Sequence, residues 1–195
     1  MAEAEQVRDK IEHAIELVSR LGMRARLVIT HASGDEGHEY EQRVRDYSRL
    51  MGVNTVFVDQ IISDERGTTN DGRKIYNLDD VYPHADLVTY PSDFEGFGNA
   101  FLEALYFRKP IVVNNYSIYS TDIEPKGFKV IEINGYVTEH TLEKTRLWLG
   151  EPGLVKEITE YNYKLARRYF SYSILRHKIR NLIIDCMGSR NSEPV

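Results

Sequence analysis

Ser92-Asp93-Phe94-Glu95-Gly96-Phe97-Gly98-Asn99-Ala100-Phe101-Leu102-Glu103-Ala104-Leu105, closing on Arg108-Lys109-Pro110-Ile111-Val112-Val113, is the stretch on which the reading of this chain turns. It joins an apolar strand to a helix through a loop that carries two glycines, and a second apolar strand follows. Gly96 and Gly98 let the backbone run close to a ligand and take up φ > 0. The free N–H groups that open the next helix favour an anion such as a diphosphate. Glu95 in the loop and Glu103 in the helix are acceptors for sugar and ribose hydroxyls. Together these parts suit a sugar nucleotide.

Strand and helix alternate outward from that stretch. Val7, Ile11, Ala14, Ile15, Val18 and Leu21 recur at helical spacing, and Gly22 stops the helix they define. Strands are predicted at Arg26 to Thr30, Thr55 to Val58, Asp86 to Tyr90, Ile111 to Val113 and Lys129 to Ile133, most of them apolar on both faces. Helices are predicted near Glu39 to Met51, Leu78 to Tyr82, Asn99 to Phe107 and Thr138 to Leu149. The class is therefore α/β, a Rossmann-like three-layer domain with a parallel sheet covered on both sides. Pro152-Gly153 breaks the chain before two further helices, near Leu154 to Tyr169 and Tyr172 to Met187, with Ser171 as the N-cap of the second. We read residues 1–188 as a single domain whose last part, 154–188, is these helices, and residues 189–195 as a loose tail. The long segment from Ile61 to Lys74, rich in Gly, Thr, Asn and charge, has the length of a functional or mobile loop.

The setting Pro91-Ser92-x-x-Glu-Gly-Phe-Gly-x-x-x-x-Glu-Ala, with seven residues between Glu95 and Glu103, resembles the E-x7-E signature of retaining glycosyltransferase family 4, also called glycosyl transferases group 1. Asp86-Leu87-Val88 before it and Pro110-Ile111-Val112-Val113 after it fit the same pattern. Asn115-Tyr116-Ser117-Ile118-Tyr119 and Asp122-Ile123-Glu124-Pro125 look most like members that glycosylate glycerate-type compatible solutes. The resemblance implies the C-terminal, donor-binding half of a GT-B fold. It implies that Glu95 faces the donor sugar as the catalytic-site carboxylate, that Glu103 faces the ribose, and that Gly96, Phe97, Gly98 and Asn99 complete the donor loop. The resemblance further implies that the donor is a nucleotide-diphosphate sugar, UDP and GDP not being distinguished, and that neither metal nor cofactor is required. The nucleobase pocket is placed by the family after the second strand, on the Ile61 to Lys74 loop.

The chain departs from the family at its start. The family's domain opens with a strand and a loop carrying Arg and Lys; here Lys10 stands where that lysine would be, on a segment of helix-forming composition, and the arginine has no match. The acceptor domain, ordinarily ~150 residues or more, is expected to be missing. Removing the central strand from the order 3-2-1-4-5-6 leaves 2-1-3-4-5, so a closed sheet of about five strands is expected, the alternative being a gap filled by a second chain. Arg66, Arg73 and Lys74 are further candidate phosphate contacts in place of the missing pair. Alone, the chain is expected to bind its donor weakly and to turn over little or nothing.

A glycosidase carboxylate pair is disfavoured because Glu103 lies inside a helix behind a phosphate-type loop. Phe97, Phe101 and Leu105 read as core. His31, His38 and Glu39 lack metal-ligand spacing and read as a polar loop. A scaffold or interaction domain that keeps the fold without the site, and a flavodoxin-like regulator, remain the alternatives from other classes; the second lacks the acidic cluster it would need.

Composition narrows the setting. A chain of 195 residues with net charge -5 has no basic excess for general nucleic-acid binding. One cysteine, Cys186, excludes an internal disulfide and fits a reducing compartment. No apolar run approaches the ~20 residues of a membrane span, and the acidic Met1 to Glu5 is unlike a secretory signal. The expectation is a cytoplasmic protein whose partners are a nucleotide sugar and the acceptor domain or a second chain, with homo-oligomers allowed.

Overall fold

The computed structural model describes residues 10–30, 37–92 and 98–188. In chain order these are α1 (Lys10–Arg20), β1 (Arg26–Ile29), α2 (Gly37–Leu50), β2 (Asn54–Phe57), β3 (Gly67–Thr68), β4 (Lys74–Ile75), α3 (Leu78–Val81), β5 (Val88–Tyr90), α4 (Asn99–Tyr106), β6 (Ile111–Asn114), β7 (Ile131–Ile133), α5 (Glu139–Gly150), α6 (Pro152–Phe170) and α7 (Tyr172–Gly188). The α/β class and the C-terminal helices are as the sequence predicts, and the expected strands and helices fall within a few residues of the observed ones.

The sheet is where the structure departs from expectation. Strands β5, β6 and β7 pair in parallel in that order, and β1 pairs in parallel with β2. Each piece has the predicted neighbours. Among the described residues, however, no ladder joins β1 to β5, so the closed order 2-1-3-4-5 is corrected to two separate parallel sheets. The burial of β1 gives the reason. Leu27 and Ile29 are buried while Arg26 and Val28 are exposed, Val28 by 44 %. That alternation belongs to a strand covered on one face, whereas a strand inside a doubly covered sheet is apolar on both. In β6, by contrast, all four residues are buried.

Packing around α1 does what hydrogen bonding between the sheets does not. Ile11, Ala14 and Ile15 pack with Leu27, Ile29, Val44 and Val53, while Leu17 and Leu21 of the same helix pack with Val112, Ile131, Ile133, Leu142 and Trp148. One helix thus contributes to the cores under both sheets. Its end is fastened to α5: Arg146 donates from Nε to the Leu21 carbonyl (3.0 Å) and from Nη2 to the Arg20 carbonyl (2.8 Å). Arg20 is the last residue of α1, and its carbonyl is one of the four at a helix end that have no partner within it.

The opposite face of β6 carries Ile111 and Val113 against Phe101, Ala104 and Leu105 of α4. As expected, Phe101 and Leu105 are core residues. Asn162 of α6 grips the chain just ahead of β7, with Nδ2 donating to the Lys129 carbonyl (2.6 Å) and Oδ1 accepting the Lys129 N–H (2.8 Å). The expected break at Pro152-Gly153 is narrower than predicted: Pro152 is the first residue of α6, where a missing N–H costs nothing. Ser171 stands at the N-cap of α7, its carbonyl accepting the Leu175 N–H (3.0 Å). The Ile61 to Lys74 segment is also more ordered than a bare loop, since it contains the β3–β4 pair and Ile62 bridges Tyr76.

Candidate functional site

The carboxyl ends of β5, β6 and β7 lie at one edge, and a buried polar latch ties them together. Asn114, the last residue of β6, accepts the Gly135 N–H at Oδ1 (3.1 Å), and its Nδ2 lies 3.4 Å from the Ser92 carbonyl beyond β5. His13 of α1 reaches the Gly135 carbonyl with Nε2 (2.7 Å). A carbonyl only accepts, so Nε2 carries the proton, while Nδ1 is buried without a hydrogen-bond partner. Ser92, Asn114 and His13 are all buried. The latch sets the separation of three strand ends, which is the edge where open α/β sheets take ligands.

Gly98 enters α4 from this edge. It occupies the N-cap position with φ 91° and ψ 81°, and its carbonyl accepts the Phe101 N–H (3.1 Å). A Cβ placed there would stand 2.9 Å from the Tyr116 hydroxyl and 2.9 Å from Cε1 of Tyr90. Both the backbone angle and the close approach of two tyrosines demand glycine. Asn99 is the first residue of α4 and is exposed; no side chain caps the helix.

Glu103 lies on the second turn of α4. Its Oε2 accepts the hydroxyl of Tyr82 at 2.8 Å. Tyr82 is itself buried, its ring stacked on Phe107 at 4.8 Å with planes 5° apart. Burial first, and then the bond to Glu103, push the Tyr82 hydroxyl well above its usual range, so it remains a proton donor throughout ordinary pH. Tyr90 lies edge-on to Tyr116, with centroids 6.1 Å apart and planes at 84°. Tyr90 and Tyr116 thus flank the start of α4, and Tyr82 lies along its second half. Sequence reasoning does not single out Tyr82, Tyr90 or Tyr116, for a tyrosine after a helix or at a strand end looks the same in sequence whether it packs or donates.

The remaining candidates are placed as follows. Glu95, Gly96 and Phe97, with His31, lie outside the described residues. Lys10 opens α1. Arg66 holds Asp80 with both ends of its fork, Nε to Oδ2 at 2.8 Å and Nη2 to Oδ1 at 3.0 Å. That contact lowers the Asp80 pKa and raises that of Arg66. Asp80 also accepts the Asn77 N–H (3.2 Å) at the start of α3. Arg73 donates to Asp71 (2.8 Å), and the Lys74 ammonium sits 4.8 Å above the Tyr76 ring. The two arginines are therefore directed at carboxylates, Arg73 at one in its own segment and Arg66 at one on α3. Glu39 is exposed on α2. Among the described residues no group of three or more His, Cys, Asp or Glu is placed to hold a metal ion, and no helix is long and apolar enough to cross a membrane.

Two mannosylglucosylglycerate synthases are similar to the chain. The Thermotoga maritima enzyme is 33% identical over 150 residues, which are 70% of this chain and 33% of that protein. The Petrotoga mobilis enzyme is 36% identical over 98 residues, 50% of this chain and 22% of that protein. The chain thus spans a third or less of the length of these relatives. Among solved structures, WaaG, a glycosyltransferase involved in lipopolysaccharide biosynthesis, superposes with a TM-score of 0.58 at 18% identity, over 89% of this chain and 43% of WaaG. The shared part is the Rossmann-like half of a GT-B fold. Residues 72–165, which hold Tyr82, Gly98, Glu103, Asn114 and Gly135, match the model of glycosyl transferases group 1, and this stretch of the chain belongs to that family.

Proposed function

We propose that this chain is the donor-binding domain of a retaining glycosyltransferase and that it holds a nucleotide-diphosphate sugar at the start of α4. The observation that carries the reading is the pairing of Gly98, where two tyrosines leave no room for a side chain, with Glu103, whose carboxylate is fixed by Tyr82. The N–H groups at the start of α4 favour the diphosphate, and Glu103 keeps its second oxygen for a ribose hydroxyl. Glu95, seven residues before Glu103 in the intervening count, is proposed to face the sugar. Arg66 and Arg73 drop to a minor part in this proposal because each already has a carboxylate partner.

In the transfer itself the C1–O bond to the diphosphate breaks, a C1–O bond to the acceptor hydroxyl forms on the same face, and the hydroxyl proton leaves on the departing phosphate oxygen. The chain's contribution is to hold the donor and to stabilise the charge that develops on the leaving group. An acceptor-binding part outside this chain completes the site. The names of the relatives point to a mannosyl donor and a glucosylglycerate acceptor for the whole enzyme.

Isothermal titration of the purified chain with UDP, GDP, UDP-glucose and GDP-mannose tests the proposal. One nucleotide is expected to bind, with Glu103→Ala weakening it by ~10-fold or more, as for loss of a hydrogen bond to a charged group. Absence of heat with all four, or equal binding by Glu103→Ala, would leave a domain that keeps the fold without the site.

A further inference from the structure

The side chains of Arg66 and Arg73 are equally exposed, each at 56 %, and each is paired with a carboxylate, yet the two pairs join different things. Asp71 lies in the turn of the β3–β4 hairpin, which is already closed by the Thr69 carbonyl accepting the Gly72 N–H (2.9 Å) and the Arg73 carbonyl accepting the Thr69 N–H (2.8 Å). Arg73 therefore ties the hairpin to itself. Arg66 leads into β3 and carries the hairpin out to α3, where both of its bonds, at 2.8 and 3.0 Å, end on Asp80. A two-point fork fixes the angle of a carboxylate as well as its position.

Asp80 sits in a helix of a single turn. Four residues do not hold a helix by themselves, so α3 takes its orientation from what grips it. At its start Asp80 accepts the Asn77 N–H (3.2 Å), and Leu78 packs against the core around α4. At its end the Tyr82 N–H donates to the Leu78 carbonyl, and the Tyr82 hydroxyl donates to Glu103. Just beyond, the Pro83 carbonyl accepts Lys109 Nζ (2.9 Å). The turn is thus fastened at its far end and steered at its near end by Asp80, which stands two residues before Tyr82.

We infer that Arg66 is a positioning residue of the nucleotide site: through Asp80 it sets the turn from which Tyr82 orients the Glu103 carboxylate, and it does so without touching the ligand. The inference rests on Glu103 being the ribose-facing group proposed above.

Titration calorimetry of the full chain with UDP, GDP, UMP and GMP tests it, together with amide hydrogen exchange of the ligand-free chain. Arg66→Ala is expected to weaken binding ~4-fold, by the same factor for a diphosphate and its monophosphate. Its melting temperature should stay within ~2 °C of the wild type, because an exposed ion pair adds little stability. Added to Tyr82→Phe, Arg66→Ala should cost no more than ~1.5-fold further, since its effect passes through that hydroxyl. Arg66→Lys, which keeps the charge and loses the fork, should lose most of the same affinity. Arg49→Ala, which removes an exposed ion pair with Asp46 on α2, should bind as the wild type does. Without ligand, the Tyr82 amide should exchange ~4-fold faster in Arg66→Ala and at the wild-type rate in Arg49→Ala. A loss confined to diphosphates, or one undiminished in Tyr82→Phe, would make Arg66 a direct phosphate contact and overturn the inference. Wild-type affinity in Arg66→Ala, or full affinity in Arg66→Lys, overturns it as well. Absence of binding by the unaltered chain removes the donor-site reading and this one with it, whereas wild-type exchange in Arg66→Ala beside intact nucleotide binding removes this one alone.

Discussion

Replacing Tyr82 by Phe removes one oxygen and little else. The ring remains stacked on Phe107, so the change isolates the hydroxyl that donates to Glu103 at 2.8 Å. A hydrogen bond to a charged acceptor contributes about 1.5–3 kcal/mol. Glu103 is only half-buried and regains water when the donor is lost, which places the cost near the lower figure. About 1.5 kcal/mol in a chain of this length lowers the melting temperature by about 3–6 °C. The effect on ligand binding has a different origin. Without the donor, Glu103 must be ordered by the ligand itself, and nucleotide affinity is expected to fall by about 10-fold. Urea unfolding of the wild type, Tyr82→Phe, Glu103→Gln and the double variant forms a cycle, with titration calorimetry on the same four proteins. A coupling below about 0.5 kcal/mol would mean that the two residues act independently. Unchanged nucleotide affinity in Tyr82→Phe would refute the idea that Tyr82 positions the carboxylate, even if the stability cost were found.

Two further outcomes follow from the packing and the titrating groups. Asn162→Leu keeps the volume of a buried side chain but strands the N–H and C=O of Lys129, at about 1–3 kcal/mol each, so urea unfolding should report a loss of about 3 kcal/mol. A wild-type value would show that Asn162 does not hold α6 to the strand. Alkaline unfolding should depend on Tyr82 and Tyr119, both held above their usual pKa by burial and then by Glu103 and Glu132. A raised folded pKa means that their contribution is complete below the unfolded value near 10 and is lost as pH climbs past it. Unfolding midpoints measured from pH 8 to 11.5 should therefore fall less steeply in Tyr82→Phe and Tyr119→Phe than in the wild type; parallel curves would contradict the assignment.

The glycines and carboxylates from residue 95 to 103 were legible as a motif because their chemistry is local. A left-handed angle at Gly98 and a helix beginning at Asn99 can be read from a few neighbouring residues. The partners of those residues could not be read in this way. Tyr82 reaches Glu103 across twenty-one positions, and His13 reaches Gly135 across one hundred and twenty-two. Arg66 and Arg73 looked like cations awaiting a phosphate, because nothing in their spacing shows that Asp80 and Asp71 had already engaged them.

The same division holds for the fold. Periodicity alone determined the α/β class, the order of strands and helices and most element ends, since alternation of apolar residues is a property of a few consecutive positions. The joining of the elements was decided only in three dimensions. Whether β1 pairs with β5 depends on which faces of distant segments are covered, and here α1 meets that need by packing beneath both sheets while leaving Val28 open. Short-range pattern fixes what each segment becomes; which surfaces then meet is set by competition among segments far apart in the chain, and no window of sequence contains it.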